Sequence, residues 1–589
     1  MSDATSATDV LAEASDDTLV TDESSAEVDA DSVGCPSGCE VPPMCHRPGT
    51  CVDGVCQFPV ANDGSGCDDG QRCTAIDTCH DAECSGGGVP VDSVNDFAVG
   101  VTSTGGVEVS DVVIDEARGE VLALLAFPSW ELPETAVLNL GRDATGTEVV
   151  VTNVHDGAWR MLVAARFDLR GRPKGWIQLA TGDSSLRGGA MGIGSNGDIV
   201  VSGRTEEPVN IGIDGDVIDD VLTGTAFMGR FSPDGSLRAL HRLESSDDTA
   251  AFLLGADCHA VTFMKANELV RHVDTSGFER TAKGPEDMAL SAWIVRIPDC
   301  AELATTERLL APEQAGGQLV PEFSTFAAGH DRTPRMVIGH VGGLTIASPS
   351  DDEPRTISQG DGVSLIALDS SDGIDWTMAY ADSAFGGAGV VFDIISRGPH
   401  TWFNAGAYGI ATLTQSDGSV VSIPGNPTQS SDLLPRTLIG RLTDAGQLDA
   451  LFVSGQAVKG QGIVSTMREG LSPSLRVVIG GSTEFPEFGS SADRIPLGEG
   501  GGTFVGAVEG SELVWGTRVV APIDGSAWLS KTLLVRPVPG THGAIVVGDL
   551  AVPAVIGSAA TRTFDPGPHP GAFILRVNSA DGVGCEAPR

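Results

Sequence analysis

Seven copies of one phrase follow each other along most of this 589-residue chain. Each copy is an apolar strand with a basic or small residue near its end, followed by a polar turn and, in the first six copies, a second strand; TLIGRLTDAGQLDALFV is one example. The apolar residues that end the first strand lie 64 to 74 positions apart, and such regular spacing is typical of repeat architectures. These seven residues are Phe167, Phe231, Ile297, Leu368, Leu442, Val508 and Val577.

A second phrase, an apolar strand that often ends in Gly, precedes each copy; DIVVSGRT and RVVIGGST are clear versions. Asn-Gly and Asp-Gly pairs such as Asn196-Gly197 and Asp372-Gly373 stand between apolar runs, where they favour tight hairpin turns. Each unit therefore supplies about four strands. Because four-stranded sheets repeated around an axis close into a β-propeller, the sequence predicts an all-β fold in which residues 89–589 form about seven four-stranded blades.

The two ends of the repeat region indicate how this ring would close. The last copy ends just after Asp581-Gly582 and lacks its second strand, whereas FAVGVTS, from Phe97 to Ser103, precedes the first unit without a partner. We therefore predict that this segment supplies the missing strand and locks the last blade to the start of the ring. An open solenoid would need polar capping repeats, and the sequence shows none.

Nine of the twelve cysteines lie between Cys35 and Cys84, in a predicted module over residues 35–88. Two copies of the spacing C-x5-C-x5-C-x4-C occur there, each too short to build a hydrophobic core. An even set in each copy predicts two disulfides within each repeat, with three pairings possible. Disulfides are favoured over zinc, because two of the three spacings in each copy are C-x5-C, longer than the C-x2-4-C spacing that zinc sites prefer. The eight cysteines are Cys39, Cys45, Cys51, Cys56, Cys67, Cys73, Cys79 and Cys84.

The remaining cysteines allow two further pairs. Cys258 and Cys300 lie within one repeat, and we expect them to bridge each other. By count this leaves Cys35 and Cys585, whose pairing is a speculative link between the cysteine-rich module and the ring closure. Disulfides on this scale predict an oxidising compartment, and thus a secreted or cell-envelope protein. The first residues lack a basic and an apolar signal region, so either an export signal lies upstream of residue 1, which we favour, or export uses another route.

Charge excludes one class of partner. The chain has 36 Lys+Arg against 80 Asp+Glu, a net charge of −44, so nucleic acid would be repelled. Residues 1–34 contain acidic residues but no Lys or Arg, and we predict that they form a disordered acidic tether. No run of 18 apolar residues occurs, so no transmembrane segment is expected.

The repeat phrases RVVIGGSTEFPEFG…GGTFVGAVEGSELVWGTRV and DIVVSGRT…TAFMGRFSPDGSL resemble the bacterial SBBP-type β-propeller repeats. The stretch from Asp63 to Gly87 resembles short cysteine repeats of exported bacterial proteins and lipoproteins. This resemblance implies an envelope or secreted protein, of a kind that usually has no assigned enzymatic activity. No apolar segment precedes Cys35 as a lipobox would require, so lipidation has no support in this chain.

A search for catalytic and metal motifs yields no candidate catalytic, cofactor or metal residue. The G-x-S-x-G, H-E-x-x-H and P-loop motifs are missing from the sequence. Residues 192–197 match G-x-G-x-x-G but lead into a strand, which predicts a hairpin turn rather than a nucleotide site. Asp214 and Asp216 resemble the start of a calcium loop, but Ile218 occupies the next ligand position. The eleven histidines are scattered, without a pair at metal spacing.

Two classes of function remain open. The first is a non-enzymatic, monomeric binding or scaffolding protein with a protein or glycan partner at the cell exterior. The second is a secreted hydrolase or lyase whose catalytic groups, from three or more blades, converge on the central channel. Trp176, Trp376 and Trp515 occupy equivalent places in three repeats, where we expect inter-blade core rather than a sugar platform. The missing catalytic motifs favour the first class.

Overall fold

The computed structural model describes residues 97–577, with gaps that all fall in connections between strands, and short stretches of the cysteine-rich module between residues 45 and 86. The predicted tether over residues 1–34 and the predicted Cys35–Cys585 pair lie outside the described residues. Cys39 and Cys73 also lie outside them.

The two cysteine repeats form equivalent hairpins. In each, the third and fourth cysteines are register partners on neighbouring strands, Cys51 with Cys56 and Cys79 with Cys84. The strands of this module are β1 (Thr50–Val52), β2 (Val55–Gln57), β3 (Gly66–Cys67), β4 (Asp77–His80) and β5 (Glu83–Gly86).

A disulfide joins the two cysteine repeats to each other. Cys45 of the first repeat is bonded to Cys79 of the second, with an S–S distance of 2.13 Å. The expectation of pairing within each repeat is therefore wrong for these two cysteines. A single two-stranded hairpin is marginally stable in water, and a bond between repeats holds two such hairpins against one another. The cysteines of the other disulfides predicted within the repeats remain unassigned.

The repeat region is a seven-bladed β-propeller. Each blade has four antiparallel strands, called A to D from the axis outwards. Blade 1 has β7 (Glu108–Asp115), β8 (Glu120–Phe127), β11 (Arg160–Asp168) and β12 (Pro173–Gly182); blade 2 has β13 (Arg187–Ile193), β14 (Ile199–Thr205), β17 (Thr225–Phe231) and β18 (Leu237–Glu244); blade 3 has β19 (Ala251–Leu253), β20 (Cys258–Lys265), β23 (Leu290–Ile297) and β24 (Thr306–Pro312). Blade 4 has β25 (Gln318–Ala328), β26 (Pro334–Val341), β29 (Gly362–Leu368) and β30 (Ile374–Asp382), with the short β31 (Gly387–Ala388) at its edge; blade 5 has β32 (Val390–Arg397), β33 (His400–Ala407), β36 (Arg436–Leu442) and β37 (Leu448–Ala457). Blade 6 has β38 (Thr466–Glu469), β39 (Arg476–Thr483), β42 (Gly502–Glu509) and β43 (Glu512–Pro522); blade 7 has β44 (Leu533–Pro537), β45 (Ala544–Leu550), β48 (Gly571–Val577) and β6 (Ala98–Ser103).

The ring closes as the sequence predicts. Strand β6, within the segment from Phe97 to Ser103, pairs with β48 as the outer strand of blade 7, with Val101 opposite Ala572. The A strands contact one another in order around the axis, and β44 of blade 7 contacts β7 of blade 1. The first folded segment of the propeller thus completes the last blade, and the sheet edges at the two ends protect each other.

The structure adds a second link between blades that sequence analysis did not predict. A hairpin inserted between strands B and C of one blade extends the outer edge of the preceding blade. We call these hairpins straps. Six of them pair with a D strand: β9 (Thr135–Arg142) and β10 (Glu148–Val154) with β6, β15 (Val209–Ile211) and β16 (Asp216–Ile218) with β12, β21 (Leu269–Asp274) and β22 (Glu279–Lys283) with β18, β27 (Leu344–Ala347) and β28 (Arg355–Ser358) with β24, β34 (Ala411–Thr414) and β35 (Val420–Ile423) with β30, and β46 (Ala554–Ile556) and β47 (Arg562–Phe564) with β43. The seventh insertion, β40 (Glu487–Gly489) and β41 (Arg494–Pro496), forms a separate two-stranded sheet that contacts β37 and β43.

Glycine recurs at one position of the C–D turns. In blade 1 the amide of Gly171 donates to the carbonyl of Asp168 (2.9 Å), and the amide of Asp168 donates to the carbonyl of Arg172 (2.9 Å). Gly171 has a φ of 76°, a conformation that glycine adopts without steric cost. The same bond pattern recurs in blades 2 and 5. The residue at the fourth position of this turn has a positive φ, which explains an Asp-Gly pair such as Asp234-Gly235.

Apolar side chains fill the spaces between neighbouring sheets. Every residue of β8 is buried, and the core cluster around it includes side chains of blades 7 and 1. Trp376 of blade 4 is 2% exposed, and Gly446 in the C–D turn of blade 5 lies so close that an added Cβ would be 2.7 Å from its ring. Trp176, at the same place in blade 1, is 37% exposed. The inter-blade prediction is thus confirmed for Trp376 and wrong for Trp176; the side chain of Trp515 is not among those described.

Cys258 and Cys300 form a disulfide within blade 3, with an S–S distance of 2.01 Å. Cys258 begins β20, and Cys300 ends the 3-10 turn Pro298–Cys300 that follows β23. Both side chains are buried. The bond therefore joins the start of strand B to the turn that follows strand C of the same blade. In the part of the chain that the structure describes, no helix has the length and apolar character needed to span a membrane.

Candidate functional site

One carboxylate ties three A strands together at the axis. Asp111 lies at a bulge of β7 and accepts hydrogen bonds from the amides of Val112 (2.7 Å) and Met191 (2.7 Å), the latter in β13 of blade 2. It also forms an ion pair with Arg536 of β44 in blade 7. Both carboxylate oxygens are therefore engaged by protein donors, and the side chain is 7% exposed. Asp111 fixes the positions of blades 7, 1 and 2 at the channel.

A cavity opens on the face of the ring that carries the D–A and B–C connections. Its volume is about 670 Å³, within the range of small-molecule sites, and it lies between blades 2 and 3. The wall includes the D–A connections that enter blades 2 and 3 and the end of strand B of blade 2. The lining residues are Ser184, Ser185, Arg187, Gly188, Gly189, Ala190, Ser202, Gly203, Arg204, Glu206, Ala250, Ala251 and Phe252.

A bulge between β13 and β14 shapes the inner wall of this cavity. The register shifts between Gly188 and Met191, so the ladder is interrupted there. The Ser202 hydroxyl fills the gap: it accepts a hydrogen bond from the Ala190 amide (2.8 Å) and lies 3.3 Å from the Ala190 carbonyl, to which it donates. A Cβ on Gly189 would lie 2.7 Å from the Ser202 hydroxyl, so this position needs glycine. The wall is therefore built from backbone and small polar groups.

Two arginines face each other across the same pair of strands. Arg187, the first residue of β13, is the register partner of Arg204 in β14. The Arg187 side chain is exposed and donates a hydrogen bond to the Ser184 carbonyl (2.9 Å). Glu206 follows the end of β14, and its amide donates to the Ser185 hydroxyl (2.9 Å). Among the described lining residues, the charged groups are two guanidinium groups and one carboxylate.

Two buried histidines lie behind the cavity. Nδ1 of His241, in β18, is 3.3 Å from Nε2 of His272, in the strap strand β21, and the two rings are stacked. The ring of Phe252, which lines the cavity, is tilted against the His272 ring at a centroid distance of 6.5 Å. Burial, and secondarily the charge of His241, lower the pKa of His272 from 6.5 to about 4. His272 is therefore neutral at neutral pH and packs as a core residue.

On the opposite face, acidic residues at the start of strand B pair with basic residues of strands C and D. Glu120 accepts from Arg166 (2.6 Å) and also pairs with Lys174. Asp198 pairs in the same way with Arg230 (2.8 Å) in blade 2. Burial by itself would raise the pKa of Glu120, but hydrogen bonds from Lys174 and Arg166 outweigh it and hold the pKa below its usual value. This pairing explains the basic residue near the end of the repeated strand.

The motif-like stretches named in the sequence have structural roles. The G-x-G-x-x-G match is a hairpin turn, as predicted, in which the Gly194 amide donates to the Asp198 carbonyl (2.8 Å). Asp216 lies in the strap strand β16, whereas Asp214 lies outside the described residues. Among the residues whose side chains the structure describes, no three His, Cys, Asp or Glu side chains cluster as metal ligands.

Sequence reasoning did not find the cavity or the two facing pairs. Arg187 and Arg204 are brought together by hairpin register across a bulge, and neither strand has a motif that marks the site. His241 and His272 meet only because a strap from blade 3 pairs with blade 2. The one usable signal was the repeat itself, since it predicts which strands are neighbours.

Comparisons with known proteins do not assign the chain to a family. No family model matches it, and no curated protein matches it. Among solved structures, it is similar to the acylaminoacyl peptidase of Pyrococcus horikoshii, at 11% sequence identity and a TM-score of 0.22. That match covers 64% of this chain and 57% of the peptidase, just over half of its length. At this TM-score the likeness carries no argument about activity.

Proposed function

We propose that this protein is a non-enzymatic binding or scaffolding protein of the cell exterior, and that its partner, a protein or glycan, docks at the cavity between blades 2 and 3. The Cys45–Cys79 and Cys258–Cys300 disulfides support an oxidising compartment. The resemblance to bacterial exported repeat proteins supports an envelope or secreted location. The protein acts as a monomer in this proposal and binds neither nucleic acid nor a cofactor.

The chemistry of the cavity wall is the observation that carries the proposal. The described lining contains no histidine and no cysteine, and Glu206 is its one carboxylate. The Ser202 hydroxyl is occupied by the Ala190 backbone, and the Ser185 hydroxyl donates to Asp183. A serine nucleophile is typically activated by an imidazole or amine base, and the described lining contains neither histidine nor lysine. The wall therefore offers groups that bind and orient a ligand.

The alternative, a secreted hydrolase or lyase, needs carboxylates and a His or Arg from three or more blades at one cavity. The described lining residues lie in blades 2 and 3 and in the connection that enters blade 2 from blade 1. At the channel, Asp111 and Arg536 do come from two blades, but Asp111 already satisfies both of its oxygens with protein donors. These contacts favour binding over catalysis.

A cavity-filling variant tests the proposal. Ala251 lines the cavity and is half-buried, so Ala251→Trp places an indole ring in the space that a partner would occupy. Ala144→Trp is the matched control, because Ala144 is exposed in the turn of the β9–β10 strap. Disulfide-intact protein is cross-linked to the envelope fraction of its own cells, and the captured partner is measured by mass spectrometry.

We expect Ala251→Trp to capture at least about tenfold less partner than the wild type, which corresponds to about 1.4 kcal/mol. Ala144→Trp should capture as much as the wild type, and the partner should be recovered with unchanged intact mass. Equal capture by both variants would place the partner elsewhere. A partner that is cleaved or shortened in the presence of the protein would establish the hydrolase or lyase alternative.

A further inference from the structure

One turn of the ring is basic, although the chain as a whole has a net charge of −44. The connection between strands C and D of blade 1 contains Arg170 and Arg172, and Lys174 follows as the second residue of β12. The C–D connections of blades 2 to 6 contain no lysine or arginine. Residues 170–174, which we call the basic turn, therefore differ in charge from the corresponding part of the other blades.

The basic turn is exposed and only partly neutralised by the protein. The Arg172 and Lys174 side chains are 44% and 47% exposed, and Arg170 is exposed as well. Arg172 pairs with Asp168 (2.6 Å), whereas Lys174 pairs with Glu120, a carboxylate that also binds a second basic side chain. The Arg170 side chain makes no hydrogen bond or ion pair with a described residue. Positive charge is thus left available for a further anionic group.

The chain enters the propeller beside this turn. The Phe97 ring lies on Gly171, so closely that an added Cβ would be 2.3 Å from a ring carbon. The Phe97 carbonyl accepts a hydrogen bond from the Arg576 amide (3.0 Å), which fixes the entry point near the end of strand C of blade 7. The part of the chain that precedes Phe97 is therefore attached to the ring next to the basic turn.

Residues 1–34 provide charge of the opposite sign close to this point. They contain ten acidic residues and no Lys or Arg. The Cys45–Cys79 disulfide shortens by more than half the stretch of chain that separates residue 34 from Phe97. A short connection raises the effective concentration of two groups in one chain. An acidic surface repels such a segment, whereas the basic turn attracts it.

We propose that residues 1–34 dock on the basic turn of the same chain, with their carboxylates against Arg170, Arg172 and Lys174. Each exposed ion pair contributes little by itself, so several pairs act together. In this arrangement the chain leaves the ring at Phe97, passes through the cysteine-rich module and returns to the same turn. The contact holds that module at the C–D face and leaves the cavity on the opposite face open. It does not depend on the proposed function.

Carbodiimide cross-linking of the full chain tests this inference, because the reagent joins a lysine amine to a carboxylate in contact with it. The sequence contains five lysines, of which Lys174 is the one in the basic turn. An equimolar mixture of isotope-labelled and unlabelled chains, analysed by mass spectrometry, separates cross-links within one chain from those between two. We expect Lys174 to be joined to carboxylates of residues 1–34 within one chain, and less often as salt is raised. The Lys174–Glu120 cross-link is the internal positive control.

Blade 2 offers a matched control. Arg238 is the second residue of β18, as Lys174 is of β12, and it lies 3.5 Å from Asp198 in the way that Lys174 pairs with Glu120. Arg238→Lys keeps the charge and adds a reactive amine beside a C–D turn that has no basic residue. This amine should be joined to residues 1–34 about threefold less often than Lys174, or less, because it lacks the additional charge pairs.

A second variant tests the two arginines. Combining Arg170→Gln with Arg172→Gln should lower the cross-linking of Lys174 to residues 1–34 about threefold, because two charge partners are removed. The Lys174–Glu120 cross-link should stay at the wild-type level, which shows that the turn itself is intact. If this variant folds poorly, the comparison of Lys174 with Arg238→Lys still tests the inference.

The inference is overturned if Lys174 is joined to Glu120 but not to residues 1–34, or if Arg238→Lys is joined to residues 1–34 as often as Lys174 is. Cross-links that combine labelled and unlabelled chains would show that the turn binds a second copy, and would overturn it as well. Partner capture at the cavity is a separate measurement, so each of these outcomes leaves the proposed function unchanged.

Discussion

Replacing His272 by Gln should reduce the loss of stability on acidification. His272 is fully buried between β18 and β22, beside His241 and close to Phe252. Burial and His241 lower its pKa to about 4; Asp274 opposes this shift, and Arg280 adds to it. Because the pKa in the unfolded chain is near 6.5, the unfolded state binds more protons between these two values. Stability due to His272 is therefore present above about pH 6.5 and is lost as the pH falls towards 4.

The size of the effect follows from the two pKa values. With a folded-state pKa of about 4, the linkage relation gives a loss of about 2 kcal/mol between pH 7 and pH 5 and about 3 kcal/mol by pH 4. A Gln at this position cannot take up a proton, so the variant lacks this contribution. Carboxylates such as Glu120, whose pKa is lowered, also lose stability on acidification. They do so equally in both proteins and cancel in the comparison.

The assay is urea unfolding of the wild type and His272→Gln at pH 7, 6 and 5. Any constant cost of the substitution shifts all three points equally, so the quantity to compare is the change with pH. The free energy of unfolding of the wild type should fall more steeply, by about 2 kcal/mol over this range. Equal slopes for the two proteins would show that His272 is not buried in its neutral form, and would refute the placement of the β21–β22 strap against blade 2.

Three further predictions concern the ring and the cavity wall. Asp111→Asn removes the carboxylate that pairs with Arg536 of blade 7, so the free energy of unfolding should fall by about 3 kcal/mol in denaturant titrations. A loss below about 0.5 kcal/mol would argue against the three-blade link. Replacing Cys258 and Cys300 together by Ser opens a loop of 42 residues and should lower the free energy of unfolding by about 4 kcal/mol under oxidising conditions. After reduction the wild type and the double variant should have nearly the same free energy of unfolding. A difference that persists after reduction would argue against the disulfide. Gly189→Ala should lower the thermal midpoint because its methyl group meets the Ser202 hydroxyl, and adding Ser202→Ala should restore part of the loss; no rescue would place the strain elsewhere.

The sequence predicted those parts of the fold that repeat. The anchors from Phe167 to Val577 identified seven blades because each blade repeats the same turn chemistry and the same apolar strand. The segment that starts at Phe97 predicted the closure, because it has no partner in the first unit and the last unit lacks one strand. These inferences succeed because the hydrophobic pattern and turn residues are local properties of the chain.

The features that were missed depend on pairing over long distances. Straps such as β15–β16 are short, and no local signal shows that they leave their own blade and extend the preceding one. The bond between Cys45 and Cys79 joins two copies of the same spacing, and spacing alone cannot distinguish it from a bond within one copy. For the same reason, Arg187 and Arg204 were invisible as a pair until the register across the bulge was known.

Hydrogen–deuterium exchange with and without the captured partner reports where on the ring the partner binds. We expect protection from exchange to increase in residues 184–190 and 202–206, which form part of the cavity wall. The turns at residues 168–172 and 232–236, on the opposite face, should exchange at the same rate in both states. Protection confined to those turns, with the cavity wall unchanged, would contradict it.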